Sequence, residues 1–143
     1  MASILVVDDV AASREVLVRL LLQHGHTVRE SCDGREALAA VHAEHPDLVI
    51  TDVLMPVMDG YELAAQLRLD PATREIPVVF YTAYYGGRAA RARALSVGVH
   101  NVLTKPFDHK AVRKVVGRVL AGESVPLVPP RIRAKATEGD RKR

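Results

Sequence analysis

Residues 48–63 read LVITDVLMPVMDGYEL. A continuous apolar run, Leu48–Ile50, leads to a single acid, Asp52. A loop containing Met55-Pro56 follows, and helical spacing then sets in at Leu63, Ala64 and Leu67, ending before Pro71. A short apolar run without alternation suits a strand covered on both faces. The segment is therefore a strand–loop–helix unit with a carboxylate at the strand's carboxyl end.

The same unit recurs on either side. Further apolar runs stand at Ile4–Val7, Val78–Tyr81 and Val99–Leu103, with a weaker one at His26–Glu30. Helical stretches lie between them. The first carries Val16, Leu17, Leu20 and Leu21 and stops near His24-Gly25. The second carries Ala37, Leu38 and Val41, with Asp33 as its N-cap and Pro46 closing it. A fourth, around Arg88–Ser96, is rich in Ala and Arg. The last places Val112, Val115, Val116, Val119 and Leu120 on one stripe, with Lys110, Arg113, Lys114 and Arg118 off it. Five strand–helix units in strict alternation predict an α/β fold, a parallel sheet with helices on both faces and right-handed crossovers. These patterns leave strand order open.

In a parallel sheet all carboxyl ends share one edge, where ligands of open α/β sheets bind. Asp8 and Asp9 follow the first run, Asp52 the third, Thr82 the fourth and Lys105 the fifth. Three carboxylates, one hydroxyl and one ammonium thus converge on one rim. Crowded carboxylates raise one another's pKa, and a hard divalent cation, Mg²⁺ or Mn²⁺, relieves the conflict. An ammonium and a hydroxyl beside a metal-bound carboxylate suit phosphoryl oxygens, and a carboxylate can itself be the nucleophile. Singly, each residue has a plainer reading: an acidic pair as a helix cap, Asp52 as a turn residue, Lys105 as a solvated lysine. Their joint placement carries the argument.

Composition sets bounds. The chain has 143 residues, 48% hydrophobic and 26% charged, enough for one domain with a real core. The lone cysteine, Cys32, excludes an internal disulfide and reads as a small buried or half-buried residue. No apolar run approaches the roughly 20 residues that span a membrane. The start, MASILVVDDV, lacks the basic region of a signal peptide. The net charge of +3 resides wholly in residues 122–143, which hold 6 Lys/Arg against 3 Asp/Glu. We expect a domain over 1–121 and a basic, proline-containing, disordered tail or linker over 122–143. His24-His26 and His42/His45 lack further ligands nearby and do not suggest a transition-metal site.

Together, ILVVDD at 4–9, TDVLMPVMDGYEL at 51–63, VVFYTA at 78–83 and LTKPF at 103–107 resemble the receiver domain of two-component response regulators. The match covers about residues 3–121. The resemblance implies a flavodoxin-like (βα)5 fold, doubly wound, with strand order 2-1-3-4-5. It implies that Asp52 accepts phosphate from a phosphohistidine of a sensor histidine kinase or histidine phosphotransfer protein. Asp9, Asp52 and the main-chain carbonyl of Leu54 would hold Mg²⁺, with Asp8 acting mainly through water. Lys105 would pair with the phosphoryl group, and its bond to Pro106 would be cis. Thr82 would be the switch hydroxyl, with small Ala83 leaving room for the phosphoryl group. Pro56, Asp59 and Gly60 would shape the loop and start helix 3. The phosphorylated form would reset the face of helix 4, strand 5 and helix 5 toward a downstream protein, and a homodimer is among the candidate partners. A cytoplasmic, bacterial-type setting goes with the family.

Two departures stand out. Val102 occupies the position of the family's usual switch aromatic, and a valine cannot swing a ring. Leu54 and Tyr84 occupy the positions that tune phosphate loss in the family, and their bulk predicts slow autodephosphorylation. Tyr81, Tyr84 and Tyr85 flank the threonine, and Tyr81 reads most simply as packing. Gly86-Gly87 suggests a mobile loop or an ordinary turn. Arg88, Arg91, Arg93, Arg113 and Lys114 read as a solvated face or as a docking surface.

Other classes remain. Only about 20 residues follow helix 5, too few for a helix-turn-helix module, so no DNA-binding domain is expected. A second reading makes the domain the receiver of a hybrid sensor kinase or a longer regulator. A Mg²⁺-dependent aspartyl-phosphate hydrolase would want DxD after strand 1, where the chain has DDV. A flavin-binding module would want a Ser/Thr/Gly-rich loop there. The expected role is therefore signalling, as a phosphoacceptor and not an enzyme.

Overall fold

The computed structural model describes residues 1–83 and 87–122. The expectations for Tyr84, Tyr85, Gly86 and the tail from residue 123 lie outside the described residues. Strands β1 (Ser3–Val7), β2 (Thr27–Ser31), β3 (Leu48–Thr51), β4 (Val78–Thr82) and β5 (Asn101–Thr104) alternate with helices α1 (Ala11–Gln23), α2 (Gly34–Ala43), α3 (Gly60–Leu69), α4 (Gly87–Ser96) and α5 (His109–Leu120). All four strand pairings are parallel, and the sheet order is β2-β1-β3-β4-β5. This is the flavodoxin-like order.

Alternation along each strand splits the core in two. Ile4 and Val6 of β1, Leu48 and Ile50 of β3, and Val79 and Tyr81 of β4 point to α1 and α5, where they meet Leu17, Leu21, Val112 and Val116. Leu5, Val7 and Val49 point the other way, to Ala37 and Val41 of α2 and Leu63 and Leu67 of α3. Phe80 continues that second face toward Val53, Tyr61 and Ala94. Every one of these side chains is essentially buried, each contributing roughly 1.5–3 kcal/mol when large and aliphatic or aromatic. Two-sided burial is why the runs read as continuous rather than alternating.

Asp33 caps α2 by accepting the Glu36 N–H at 2.8 Å, as expected. Asp59 does the same for α3 with Glu62, and Asp108 for α5 with Ala111, both at 2.8 Å. Three readings are corrected. Val99 lies outside β5. Its N–H returns to the Ala94 carbonyl and that of Gly98 to Leu95, with Gly98 at φ 82°, so the pair closes α4 instead of opening a strand. Val16 faces outward and Val18 takes its place in the core, because the buried stripe of α1 runs along Leu17, Val18 and Leu21. Cys32 is exposed, since it follows the last β2 residue and begins the turn into α2, where its N–H donates to Glu36.

The β3–α3 loop is held by two backbone constraints. Gly60 donates its N–H to the Val53 carbonyl at 2.8 Å, and a Cβ there would lie 2.5 Å from the Asp52 carbonyl oxygen. Only glycine lets α3 begin so close to the Asp52 backbone. Val57 sits at φ 74° between Pro56 and Met58, whose carbonyl and N–H bond across it at 2.8 Å. A β-branched residue is strained in such a turn. Val57 is largely exposed and loses no packing on replacement. Val57→Asn should therefore raise unfolding free energy by about 1 kcal/mol, read as a higher urea midpoint at unchanged slope. Gly60→Ala should lower it.

Candidate functional site

The carboxyl edge of the sheet is built by extending each ladder one residue beyond its strand. The Asp8 N–H donates to the Ser31 carbonyl at 3.1 Å, the Asp52 N–H to Val7 at 2.9 Å, and the Lys105 N–H to Thr82 at 2.8 Å. The chain thus fixes the backbone of each site residue before its side chain acts. Arg14 adds a brace: its guanidinium donates to the Asp8 carbonyl at 2.6 Å and to Glu30 Oε1 at 2.7 Å.

Asp8, Asp9 and Asp52 each present a carboxylate oxygen within 4.8 Å of the others. Asp8 has no exposed side-chain surface, whereas Asp52 keeps 11%, so an incoming group can reach Asp52 and not Asp8. Asp9 is exposed. Both Asp8 oxygens are already engaged. Oδ1 accepts the Val10 N–H at 3.0 Å, and Oδ2 accepts the Tyr81 hydroxyl at 2.7 Å and the Lys105 ammonium at 3.2 Å. Asp52 Oδ1 accepts the Val53 N–H at 2.7 Å, and its Oδ2 lies 3.4 Å from Lys105 Nζ. The ammonium also sits 4.4 Å from the centre of the Tyr81 ring.

Burial pushes the Asp8 carboxyl up, but the Val10 N–H, the Tyr81 and Ser13 hydroxyls and Lys105 outweigh it and hold it below the usual carboxylate range. Asp52 goes the other way. Burial raises it, Lys105 only partly offsets this, and the Asp8 charge raises it further. The phenol of Tyr81 is raised by burial and by the carboxylate it bonds, so it remains a donor. The Lys105 ammonium contacts two of the three carboxylates, and all three offer hard oxygen. That donor set fits Mg²⁺ or Mn²⁺.

The structure brings Asp8, Asp9, Asp52 and Lys105 together. Thr82 ends β4 at the same edge and Ala83 follows it, Thr82 buried and Ala83 exposed. The Lys105-Pro106 peptide is cis, as the resemblance implied. Leu54 is exposed two residues beyond Asp52, and Pro56, Asp59 and Gly60 lie in the loop and helix start described above. Val102 is paired with Phe80 and packs partly buried beside the Phe80–Tyr61 cluster, away from Tyr81 and Asp8. Tyr81 is the residue that sequence reasoning missed. It does pack, but its hydroxyl is also a partner of the acidic site. A tyrosine at the end of the apolar run Val78–Tyr81 was the available signal, because a buried phenol needs a hydrogen-bond partner.

Similarity to known proteins agrees with this geometry. The response regulator receiver domain family matches residues 4–117, and the chain belongs to that family. It is 43% identical over 107 residues to the response regulator PleD of Caulobacter vibrioides, which covers 75% of this chain but 23% of PleD. The chain therefore spans about a quarter of that relative's length. Its fold matches the receiver domain of a signal transduction histidine kinase from Syntrophus aciditrophicus, with a TM-score of 0.78 and 34% identity, covering 90% of this chain and all of that one. It also matches the receiver domain of the sensor histidine kinase PA1611 from Pseudomonas aeruginosa, solved with a magnesium ion coordinated in its active site cleft. That match has a TM-score of 0.77 and 26% identity, covering 84% of this chain and 98% of that one.

The raised Asp52 carboxyl has a consequence for stability. Below the unfolded carboxylate range, about pH 4, Asp52 is protonated in both states and costs nothing. As pH rises through its higher folded value, ionisation in the buried cluster costs stability. In metal-free buffer Asp52→Asn should therefore melt higher than the native chain at pH 7. The gain should vanish on acidification, as thermal scans across pH would show.

Proposed function

We propose that the chain is a phosphoacceptor of a two-component phosphorelay, with Asp52 as the accepting residue. The supporting observation is the pairing of a reachable carboxylate, Asp52, with the Lys105 ammonium at 3.4 Å on a sheet edge that also carries Asp8 and Asp9. An oxygen of Asp52 attacks the donor's phosphorus in line. A P–O bond forms as the P–N bond to the donor's imidazole breaks, the electron pair leaving on nitrogen. The Lys105 ammonium offsets charge on the transferred group, and the Thr82 hydroxyl and the space over Ala83 receive its oxygens.

Asp9, Asp52 and the Leu54 carbonyl would hold Mg²⁺ or Mn²⁺, with Asp8, whose oxygens are committed to protein donors, acting through water. When bound, the cation offsets negative charge on the carboxylates and the phosphoryl oxygens. Asp8 stays ionised at all working pH values and so keeps the site polarised toward cations.

The partner is a sensor histidine kinase or a histidine phosphotransfer protein in a cytoplasmic setting. Among the described residues no helix is long and apolar enough to cross a membrane. Output runs through the face of α4, β5 and α5 to a downstream protein or a second copy. With Val102 packed in the Phe80 cluster, movement of Thr82 carries the switch without a swinging ring at that position. Exposed Leu54 beside Asp52 shields the acyl phosphate from water and slows its loss.

Incubation with Mg²⁺ and acetyl phosphate should add one phosphoryl group, about 80 Da by intact mass. The gain should require Mg²⁺ and be absent in Asp52→Asn. If no gain appears with acetyl phosphate, phosphoramidate or a phosphohistidine donor, the reading is wrong. Separately, Mg²⁺ at 100 times its Kd should stabilise the chain by about 2.7 kcal/mol, and Asp9→Asn should remove most of that increment in thermal scans.

A further inference from the structure

Lys105 is held loosely. Its contacts to Asp8 and Asp52, 3.2 and 3.4 Å, are long for charge-assisted hydrogen bonds, which favour about 2.7–2.9 Å. The phenol of Tyr81 is the short partner of Asp8, at 2.7 Å to the same Oδ2 that Lys105 shares. The Tyr81 ring lies under the ammonium at 4.4 Å. One side chain therefore touches both the carboxylate and the cation.

Tyr81 cannot easily leave that position. It is fully buried within β4, in the cluster with Val79, Leu103 and Val112, and its ring meets Phe107 edge-on at 6.2 Å. Asp8 is equally fixed, by its own ladder bond to Ser31 and by Val10 on Oδ1. Any phosphoryl group on Asp52 draws the ammonium away from Asp8. A fully buried carboxylate oxygen stripped of its partner is costly. With the phenol in place, Oδ2 keeps a donor after the lysine has turned.

We propose that Tyr81 is a positioning residue of this site: its hydroxyl holds Asp8 while its ring face holds the Lys105 ammonium, so the lysine turns to an incoming phosphoryl group without leaving Asp8 unpartnered. The inference rests on the phosphoacceptor reading of Asp52. It assigns to β4 a task beyond presenting Thr82, and links the metal-side acids to the lysine through a single rigid side chain.

The test compares Tyr81→Phe, which keeps the ring, with Tyr81→Leu, which removes ring and hydroxyl. Calorimetric titration of Mg²⁺ alone into each full-length chain reads the acidic site. Intact mass against time at saturating Mg²⁺ and acetyl phosphate reads the transfer. Tyr81→Phe should weaken the Mg²⁺ Kd about tenfold, the usual scale for removing a partner that orients a ligand, and should lower the saturated rate. Tyr81→Leu should slow the saturated rate about fivefold further, the loss of the ring face under the ammonium. A purely structural tyrosine would lower the melting midpoint but leave the Mg²⁺ Kd and the saturated rate of Tyr81→Phe at native values, and that result overturns the proposal. Should Tyr81→Leu fail to fold, the Mg²⁺ Kd of Tyr81→Phe decides alone. Absence of phosphoryl gain in the native chain with acetyl phosphate, phosphoramidate and a phosphohistidine donor alike would sink the phosphoacceptor reading instead, while the Mg²⁺ titration would still judge Tyr81.

Discussion

A single ammonium shared between two carboxylates is the interaction around which this molecule is arranged. Lys105 lies within 3.4 Å of both Asp8 and Asp52, although the three residues are separated by most of the chain. Each carboxylate is poorly solvated, so neither tolerates the other without a cation between them. Strand order provides the meeting. β1 and β3 are neighbours, and β5 is placed two strands from β3 with β4 intervening, so the lysine reaches across the end of β4 to the acids. The one-residue extension of each ladder then fixes where every reach begins.

The two acids are electrostatically unequal, and that inequality suits the proposed division of labour. Asp8 is sealed, hydrogen-bonded at both oxygens and held ionised. Asp52 is less well compensated and retains a path to solvent. The sealed acid sets the field, and the accessible one is free to react. The β3–α3 loop keeps Asp52 in this situation through backbone crowding at Gly60 and a tight turn at Val57, with strain accepted beside Asp52 rather than in the core.

Aromatic placement distinguishes this receiver from the pattern its family resemblance implied. The position three residues before Lys105, where the family usually carries a movable ring, holds Val102, which is packed beside Phe80 on the α3–α4 side. The ring nearest the acids is instead Tyr81, on the opposite face, and it is immobilised. A ring fixed beneath the lysine stabilises its position, where a swinging one would report to the surface.

The five apolar runs, the caps at Asp33 and the stripe of α5 were legible because local periodicity and capping chemistry depend on neighbours in the chain. So were Asp8, Asp9, Asp52, Thr82 and Lys105, since in a parallel sheet whatever follows a strand must reach the same edge. Periodicity misplaced Val99 because an apolar residue closing a helix through a positive-φ glycine reads like one opening a strand. It could not see Tyr81 as more than packing, because the alternation that turns Tyr81 toward Asp8 has meaning only once β1, β3 and β4 lie side by side. The sequence by itself determined which elements form and which residues stand at the strand ends. Only the tertiary structure decided which acid is sealed, which is reachable and which ring carries the lysine, because burial and hydrogen-bond partnership are set by side chains that meet across the sheet, as Tyr81 and Asp8 do from 73 residues apart in the chain.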